Sequence, residues 1–296
     1  MIRSFPISNG MEFLRRRAKW YLLCILLTSN FFIWYGVLAE ERRGILKIAF
    51  LDIGQGDAIF IESPNGNQVL LDGGPNRKIL QELGKVMPFY DRSVNTLIVS
   101  NPDKDHFAGF LDVLDSYHVD NVIEPGTKGA SGLYLQLEEK IKEKNIPEIL
   151  AKRGMDIDIG GGASIHIIFP DRDVSGLATN DGSIVARLQY GNTSVLLMGD
   201  STQAIEKYLV PLDGAVLRSD ILKVGHHGSR TSTSEELVGV VSPKIAVISD
   251  GKDNSYGHPH KETLDTLNKF GVEILRTDEK GTIICSSDGV SFMCDK

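Results

Sequence analysis

The sequence predicts an α/β fold in which two sheets pack face to face and helices cover their outer faces. Short apolar runs with strand character alternate with stretches of helical periodicity. Runs of strands are followed by helices in each half of the chain, which is typical of layered α/β architectures. No linker richer than a few glycines separates the halves, so a single domain is expected over residues 45–296.

The individual elements follow from the same patterns. Segments of ordinary length have the residue pattern of a strand or of a helix, and turn residues separate them. Strands are expected at 45–54, 95–100, 163–170, 183–191 and 193–200, and helices at 78–85, 107–117 and 133–145.

Composition is that of a globular protein, with 42% hydrophobic and 24% charged residues among 296. The net charge is −7, and the basic residues before position 20 leave the remainder at about −11. An acidic domain does not favour binding of nucleic acid over a broad electrostatic surface, although it does not exclude a small local basic patch.

The N-terminal region has the charge order of a membrane-targeting segment. Residues 1–19 are basic and are expected to stay in the cytoplasm, and residues 20–39 carry no charge. This uncharged stretch fits a single-pass transmembrane anchor, or a signal peptide that is cleaved after Ala39. Either alternative places the domain outside the cytoplasm, at the cell membrane or secreted.

Two cysteines flank a predicted hairpin turn, "SSDG". If Asp288 and Gly289 form the centre of the turn, Cys285 faces Phe292 and the two sulfurs are not paired. No disulfide and no cysteine-based zinc site are therefore expected.

Polar residues gather where predicted strands end, which is where layered α/β folds place their sites. The stretch "SNPDKDHFAGF" brings Asp103, Asp105 and His106 onto one bend at a helix start, with Lys104 expected to point away to solvent. Carboxylates and imidazoles bind divalent cations, which make hydroxide available at neutral pH for ester hydrolysis. Asp57 and Asp72 are expected near this site, in a supporting loop and a turn.

Six motifs in order resemble the metallo-β-lactamase superfamily: "FLDIGQGDAIFI", "VLLDGG", "SNPDKDHFAGF", "VLLMGD", "LKVGHHGSRTSTSEEL" and "NSYGHPH". The chain is most similar to the C-terminal domain of ComEC-type competence proteins. This resemblance implies a four-layer αβ/βα sandwich with one or two divalent ions. It also implies a hydrolase, by analogy a phosphodiesterase or nuclease whose substrates include single-stranded DNA.

The resemblance assigns metal ligands residue by residue. One ion is expected at Asp105, His106, Asp200 and His258. A second ion would use Asn101, Asp103, Asn180 or the neighbouring Asp181, and a share of Asp200. Asn101 departs from the family's histidine, which leaves an oxygen-rich position better suited to Mn²⁺ or Mg²⁺ than to Zn²⁺.

The remaining roles concern the substrate. His226 and His227 resemble the paired histidines that related phosphoesterases use against the substrate phosphate, and Asp103 would orient the nucleophile. Ser229 and Arg230 could hold a phosphate through hydroxyl and guanidinium donors. Two alternatives stay open: hydrolysis of a lactone, lactam or phosphocholine ester, and a binding module that lost one metal position through Asn101. No protein partner is predicted.

Overall fold

A computed structural model describes residues 8–39 and 44–295 of the chain. The chain divides into two compact units at residue 43. The first contains one helix, α1 (Ser8–Ala39), which includes the uncharged stretch predicted as an anchor or signal. Within the two described ranges, no helix combines the length and the hydropathy that a bilayer span requires. The predicted cytoplasmic segment before Ser8 and the residue after the predicted cleavage point lie outside the described residues.

The second unit is built from two sheets and flanking helices. Its strands are β1 (Leu46–Phe50), β2 (Ile59–Glu62), β3 (Gln68–Leu71), β4 (Ser93–Ile98), β5 (His118–Glu124), β6 (Glu148–Leu150), β7 (Asp156–Gly160), β8 (Ala163–Phe169), β9 (Val185–Tyr190), β10 (Thr193–Leu197), β11 (Ile221–Lys223), β12 (Ile245–Ile248), β13 (Glu273–Arg276), β14 (Ile283–Ser287) and β15 (Phe292–Cys294). Its helices are α2 (Lys78–Val86), α3 (Lys104–Phe107), α4 (Phe110–Ser116), α5 (Gly132–Glu143), α6 (Gln203–Asp213), α7 (Glu235–Val241), α8 (Lys261–Lys269) and α9 (Thr277–Lys280).

Both sheets are mixed, and each has a parallel section. The first sheet has the order β15-β14-β1-β2-β3-β4-β5-β6, and the second has the order β13-β12-β11-β10-β9-β8-β7. Strands β3 to β6 run parallel to one another, as do β10 to β13. The loops that follow these parallel strands are the natural place for a site.

Three apolar clusters show how the layers stack. One cluster lies between the sheets and includes Phe50, Ile61 and Leu197. A second joins the outer face of the first sheet to α2, α4 and α5, and a third joins the second sheet to α6, α7 and α8. The three clusters bury both faces of each sheet, and the helices cover the outer faces. The expected α/β sandwich of two sheets is confirmed.

One predicted helix is interrupted. The pattern at 107–117 is divided between α3 and α4 at Ala108 and Gly109. A Cβ atom on Gly109 would lie 2.0 Å from the carbonyl oxygen of Gly73, so only glycine allows the helix start to approach the loop after β3.

The prediction that the hairpin cysteines are unpaired was wrong. Cys285 lies opposite Cys294 in the ladder of β14 and β15, and the two form a disulfide. Ser287 pairs with Phe292, so the turn is centred one residue later than the "DG" dipeptide suggested. A shift of one position changes every cross-strand pair in a hairpin.

Candidate metal centre

Acidic and imidazole side chains from both sheets meet where the parallel strands end. Asp105 and His106 lie on α3, directly after β4, and Asp200 follows β10. His227 lies in a 3-10 turn, Gly225–Gly228, after β11. The predicted convergence of the "DKDH", "MGD" and "GHH" motifs is therefore present in the structure.

His106 is completely buried between two carboxylates. Its Nδ1 lies 2.9 Å from Oδ2 of Asp72, and its Nε2 lies 3.1 Å from Oδ2 of Asp200. Ser100 fixes Asp72 by donating from its backbone N–H and from its hydroxyl, at 2.7 and 2.6 Å. Burial alone would lower the pKa of His106, but Asp200 and Asp72 raise it well above its usual value. Asp72 thus fixes the ring so that Nε2 faces Asp200.

His227 is the second buried imidazole. Its Nδ1–H donates to the carbonyl oxygen of Ser249 at 3.1 Å, which directs Nε2 toward Asp105 and Asp200, at 3.4 and 3.6 Å. Burial opposes protonation, yet the carboxylates of Asp200 and Asp57 raise the pKa of His227 to about 10. The backbone of His227 has a φ of 53°, in the left-handed region that costs energy for a non-glycine residue.

Asp57 supports the cluster from the loop between β1 and β2. Both its oxygens contact the ammonium of buried Lys223, at 2.8 and 2.9 Å, and Oδ1 lies 3.5 Å from Nδ1 of His227. Burial alone would raise the pKa of Asp57, but Lys223 and His227 lower it by more than burial raises it. The pKa of Asp57 therefore lies below its usual value, and the carboxylate stays charged. This loop approaches the backbone of α3 closely, and only glycine at position 56 allows this. A Cβ atom on Gly56 would lie 2.2 Å from the carbonyl oxygen of Asp105.

The donor set fits a divalent cation. Nε2 of His106, Nε2 of His227 and Oδ1 of Asp200 are buried and form no hydrogen bond. The two nitrogens nevertheless face carboxylate oxygens at 3.1 to 3.6 Å. Within the described residues, two sets of ligand atoms lie within 4.8 Å of one another: Asp105, His106 and His227, and Asp57, His106 and Asp200. Buried polar atoms are normally satisfied, so unpaired nitrogens and oxygens that converge indicate a ligand. Mixed nitrogen and oxygen donors suit Zn²⁺ and Mn²⁺.

The side chains predicted for a second ion form hydrogen bonds with neighbouring groups. The side-chain amide of Asn101 donates to Oδ1 of Asn180 at 2.8 Å and accepts the backbone N–H of Asp103 at 2.9 Å. Oδ2 of Asp103 accepts the hydroxyl of Thr179, and Oδ1 of Asp181 accepts that of Thr202. Neither ligand cluster in the described residues includes these side chains.

The cluster opens into a cleft of ≈ 500 Å³, called the metal cleft below. Its lining residues come from both halves of the sandwich: Gln55, Pro102, Asp103, Lys104, Asp105, Ala130, Ser131, Asp200, His226, His227, Tyr256 and His258. Lys104 is exposed, as expected, and it also belongs to the lining of the cleft.

The remaining predicted site residues are His258, Ser229 and Arg230, and they differ in how close they lie to the cluster. The ring centroid of His258 is 6.2 Å from that of His227, and burial together with the charge of His227 lowers the pKa of His258 to about 4. Ser229 is buried with its hydroxyl 3.0 Å from that of Thr231, and Arg230 is exposed. Neither Ser229 nor Arg230 belongs to the cleft lining.

Sequence reasoning underestimated Asp72 and missed Lys223. Asp72 follows a fully buried strand, and that position could have indicated a partner for His106. Lys223 is the single charge in the otherwise apolar run "ILKV", and a lone lysine in a central strand must find a buried partner.

Residues 51–251, more than half of the chain, match the sequence profile of the metallo-beta-lactamase superfamily. The chain therefore belongs to the metallo-beta-lactamase superfamily. It is 30% identical over 278 residues to "ComE operon protein 3" of Bacillus subtilis, covering 88% of this chain and 35% of that protein. It is 31% identical over 242 residues to "Recombination protein 2" of Haemophilus influenzae, covering 80% and 28%. The chain spans about a third of the length of these relatives, and the predicted resemblance is confirmed.

Solved structures agree on the fold. The diiron β-hydroxylase CmlA from Streptomyces venezuelae superposes with a TM-score of 0.52 at 15% identity, covering 78% of this chain and 52% of that one. Zn²⁺-bound PqqB from Methylobacterium extorquens superposes with a TM-score of 0.50 at 11% identity, covering 75% and 85%.

Proposed function

We propose that this protein is a metal-dependent phosphodiesterase whose substrates include single-stranded DNA. The observation that carries the proposal is the convergence of unpaired His106 and His227 nitrogens on the carboxylates of Asp105 and Asp200 beside an open cleft. The superfamily comprises mostly metal-dependent hydrolases. The similarity to "Recombination protein 2" of Haemophilus influenzae favours a nucleic-acid substrate.

In this proposal Asp105, His106 and Asp200 hold the ion, with His227 or His258 as a further ligand. Mn²⁺ and Zn²⁺ suit the nitrogen and oxygen donors, and Mg²⁺ would depend on the carboxylates. The ion, when bound, supplies positive charge for the phosphodiester and hydroxide at neutral pH. Asp72 and Ser249 orient the two imidazoles through their Nδ1 atoms.

The remaining cleft residues act on the substrate. His226 lies at the cleft, with Nδ1 3.1 Å from the Thr231 hydroxyl, and it would neutralise a non-bridging phosphate oxygen or protonate the leaving oxygen. Asp103, held by Thr179, would orient the nucleophile. Ser229 and Arg230 remain candidates for a more distant phosphate contact, since they lie outside the cleft lining.

Hydrolysis of bis-p-nitrophenyl phosphate and of single-stranded DNA with Mn²⁺ tests the proposal. Asp105→Ala should lower both rates at least about 100-fold, since loss of a ligand should cost no less than loss of an outer contact. Asp115→Ala, which removes an exposed carboxylate paired with Lys140, is the matched control and should keep the wild-type rates. Equal rates for Asp105→Ala and wild type would refute the assignment.

A binding module is the second candidate function. The observation that favours it is the hydrogen bond between Asn101 and Asn180, two side chains that the resemblance assigns to a second ion. Metal content of the purified protein, followed by a panel that includes lactones, lactams and phosphocholine esters, separates the alternatives. Bound metal without turnover of any ester would favour the binding module.

The location is a separate proposal. We infer that the domain acts outside the cytoplasm because basic residues precede the uncharged stretch 20–39. Degradation of the domain by a protease added to intact cells would support this location, and protection until the cells are lysed would contradict it.

A further inference from the structure

The metal cleft holds two side chains that the metal cluster does not use, Tyr256 and Lys104. Tyr256 belongs to the loop before His258, from the second half of the chain, and Lys104 is the first residue of α3, from the first half. We propose that they form a nucleotide subsite, in which the Tyr256 ring stacks on an unpaired base and the Lys104 ammonium binds a backbone phosphate of the same strand. The proposal rests on the proposed function and specifies how that site would recognise a nucleic-acid strand.

The Tyr256 ring is open to a planar partner. It is 65% exposed although it lines the cleft. One face is stacked on His258, with ring centroids 5.7 Å apart and planes at 21°. No other ring of the described residues stacks on the Tyr256 ring, and its hydroxyl forms no hydrogen bond with any described residue. An aromatic ring with a free face beside a phosphate-binding cleft is the arrangement that proteins use to bind single-stranded nucleic acids.

The loop that carries Tyr256 is fixed before any ligand arrives. Asn254 accepts the backbone N–H of His258 at 2.9 Å and donates to the carbonyl oxygens of His258 and Gly251, at 2.6 and 2.9 Å. A single amide thus ties both ends of the loop together. A ring held in this way loses little entropy when it stacks on a base.

Lys104 is the only lysine or arginine among the described residues that line the cleft. Its neighbours Asp103 and Asp105 are acidic, and Asp200 adds a third carboxylate to the lining. Lys104 is exposed, and its ammonium forms no ion pair or hydrogen bond with any described residue. A free ammonium beside an acidic cluster is suited to a phosphate, which the carboxylates alone would repel.

Stacking on a ring face requires a base that is not paired in a duplex, so the subsite selects single strands. The test is the affinity for a fluorescent, phosphorothioate-linked oligothymidylate, which resists cleavage, measured by anisotropy with Mn²⁺. An oligonucleotide of the same length with abasic sites is the matched probe. Wild type should bind the oligothymidylate about tenfold more tightly than the abasic probe. Tyr256→Leu should lose this preference, and Tyr256→Phe should keep it because the ring is retained.

The Lys104 contribution has a different signature. Lys104→Met should weaken both probes equally and lower the salt dependence of binding by about one phosphate contact. Lys207→Met, which removes an exposed lysine on α6 away from the cleft, should leave both affinities unchanged.

Three results would overturn the subsite: no measurable binding of either probe, equal wild-type affinities for the two probes, or a preference that survives Tyr256→Leu. Hydrolysis of bis-p-nitrophenyl phosphate needs no base. The proposed function can therefore stand while the subsite fails, and the two failures can be told apart.

Discussion

The ammonium of Lys223 lies 2.8 Å from Oδ1 of Asp57, and both side chains are only 1% exposed. Asp57 belongs to the first sheet's β1–β2 loop, and Lys223 ends β11 in the second sheet. Lys223 also donates to the carbonyl oxygen of Val224 at 2.9 Å. The pair therefore joins the two sheets immediately beside His227.

Replacing Lys223 by methionine should lower the free energy of unfolding by about 3–5 kcal/mol, because the buried carboxylate of Asp57 would lose the ammonium that contacts both its oxygens. Urea unfolding followed by circular dichroism measures the loss. Lys244→Met removes a lysine that is 80% exposed and paired with Asp220. That control should cost less than about 1 kcal/mol, and losses of equal size would contradict a special role for the buried pair.

Asp72→Asn should weaken metal binding about 10–100-fold, because the amide no longer fixes the His106 ring as the carboxylate does. Competition with a chelating dye gives the affinity for Mn²⁺ or Zn²⁺. The matched control is Asp120→Asn, since Asp120 contacts the exposed His118 at 3.2 Å. It should bind metal as wild type does, and wild-type affinity in Asp72→Asn would show that His106 needs no such support.

Removing the disulfide with Cys285→Ser and Cys294→Ser should lower stability by about 2–3 kcal/mol, the value expected for closing a short loop. The two cysteines are nine positions apart. Thermal unfolding with and without dithiothreitol checks this: reductant should lower the Tm of wild type and leave the double variant unchanged. Cys24→Ser should keep the full response to reductant, because Cys24 is a free cysteine. If reductant leaves the Tm of the wild-type protein unchanged, the disulfide between Cys285 and Cys294 is contradicted.

Stability should also depend on pH through Asp250. Burial, reinforced by the carboxylate of Asp278, raises the pKa of Asp250 to about 7, against about 3.9 for an unfolded aspartate. The folded state therefore binds this proton more tightly, and the protein loses stability as pH rises from about 4 to 7. Asp250→Asn carries no charge, so its Tm relative to wild type should rise over that window and then level off.

Thermal unfolding of Asp250→Asn between about pH 4.5 and 8.5 measures the effect, which should reach the order of 1 kcal/mol or more at the upper end. Asp265→Asn removes an exposed carboxylate paired with Lys261 and should show no such trend. A difference between Asp250→Asn and wild type that does not vary with pH would contradict the shift.

Much of the fold could be predicted because its strands are short apolar runs bounded by turn residues, and because the site motifs follow those strands directly. The hairpin disulfide could not, since a turn centre one position later replaces Phe292 by Cys294 opposite Cys285. The motifs that carry Asp105, His106 and Asp200 do converge as expected. The hydrogen bonds among Asn101, Asp103 and Asn180 could not be predicted, because they depend on loop geometry that no spacing reveals. The same holds for the place of Lys104 in the cleft lining, which depends on the loop that leads into α3.

The two sheets contribute unequal halves of one site: Asp57, Asp105 and His106 come from the first, and Asp200 and His227 from the second. A nascent chain that has completed only one sheet cannot bring the candidate ligands of a cation together. Cation binding would then occur late in folding, after both sheets have formed, and it would stabilise the complete sandwich. Removal of the ion would destabilise both sheets together. The supply of such a cation would thereby also govern how long the folded protein persists.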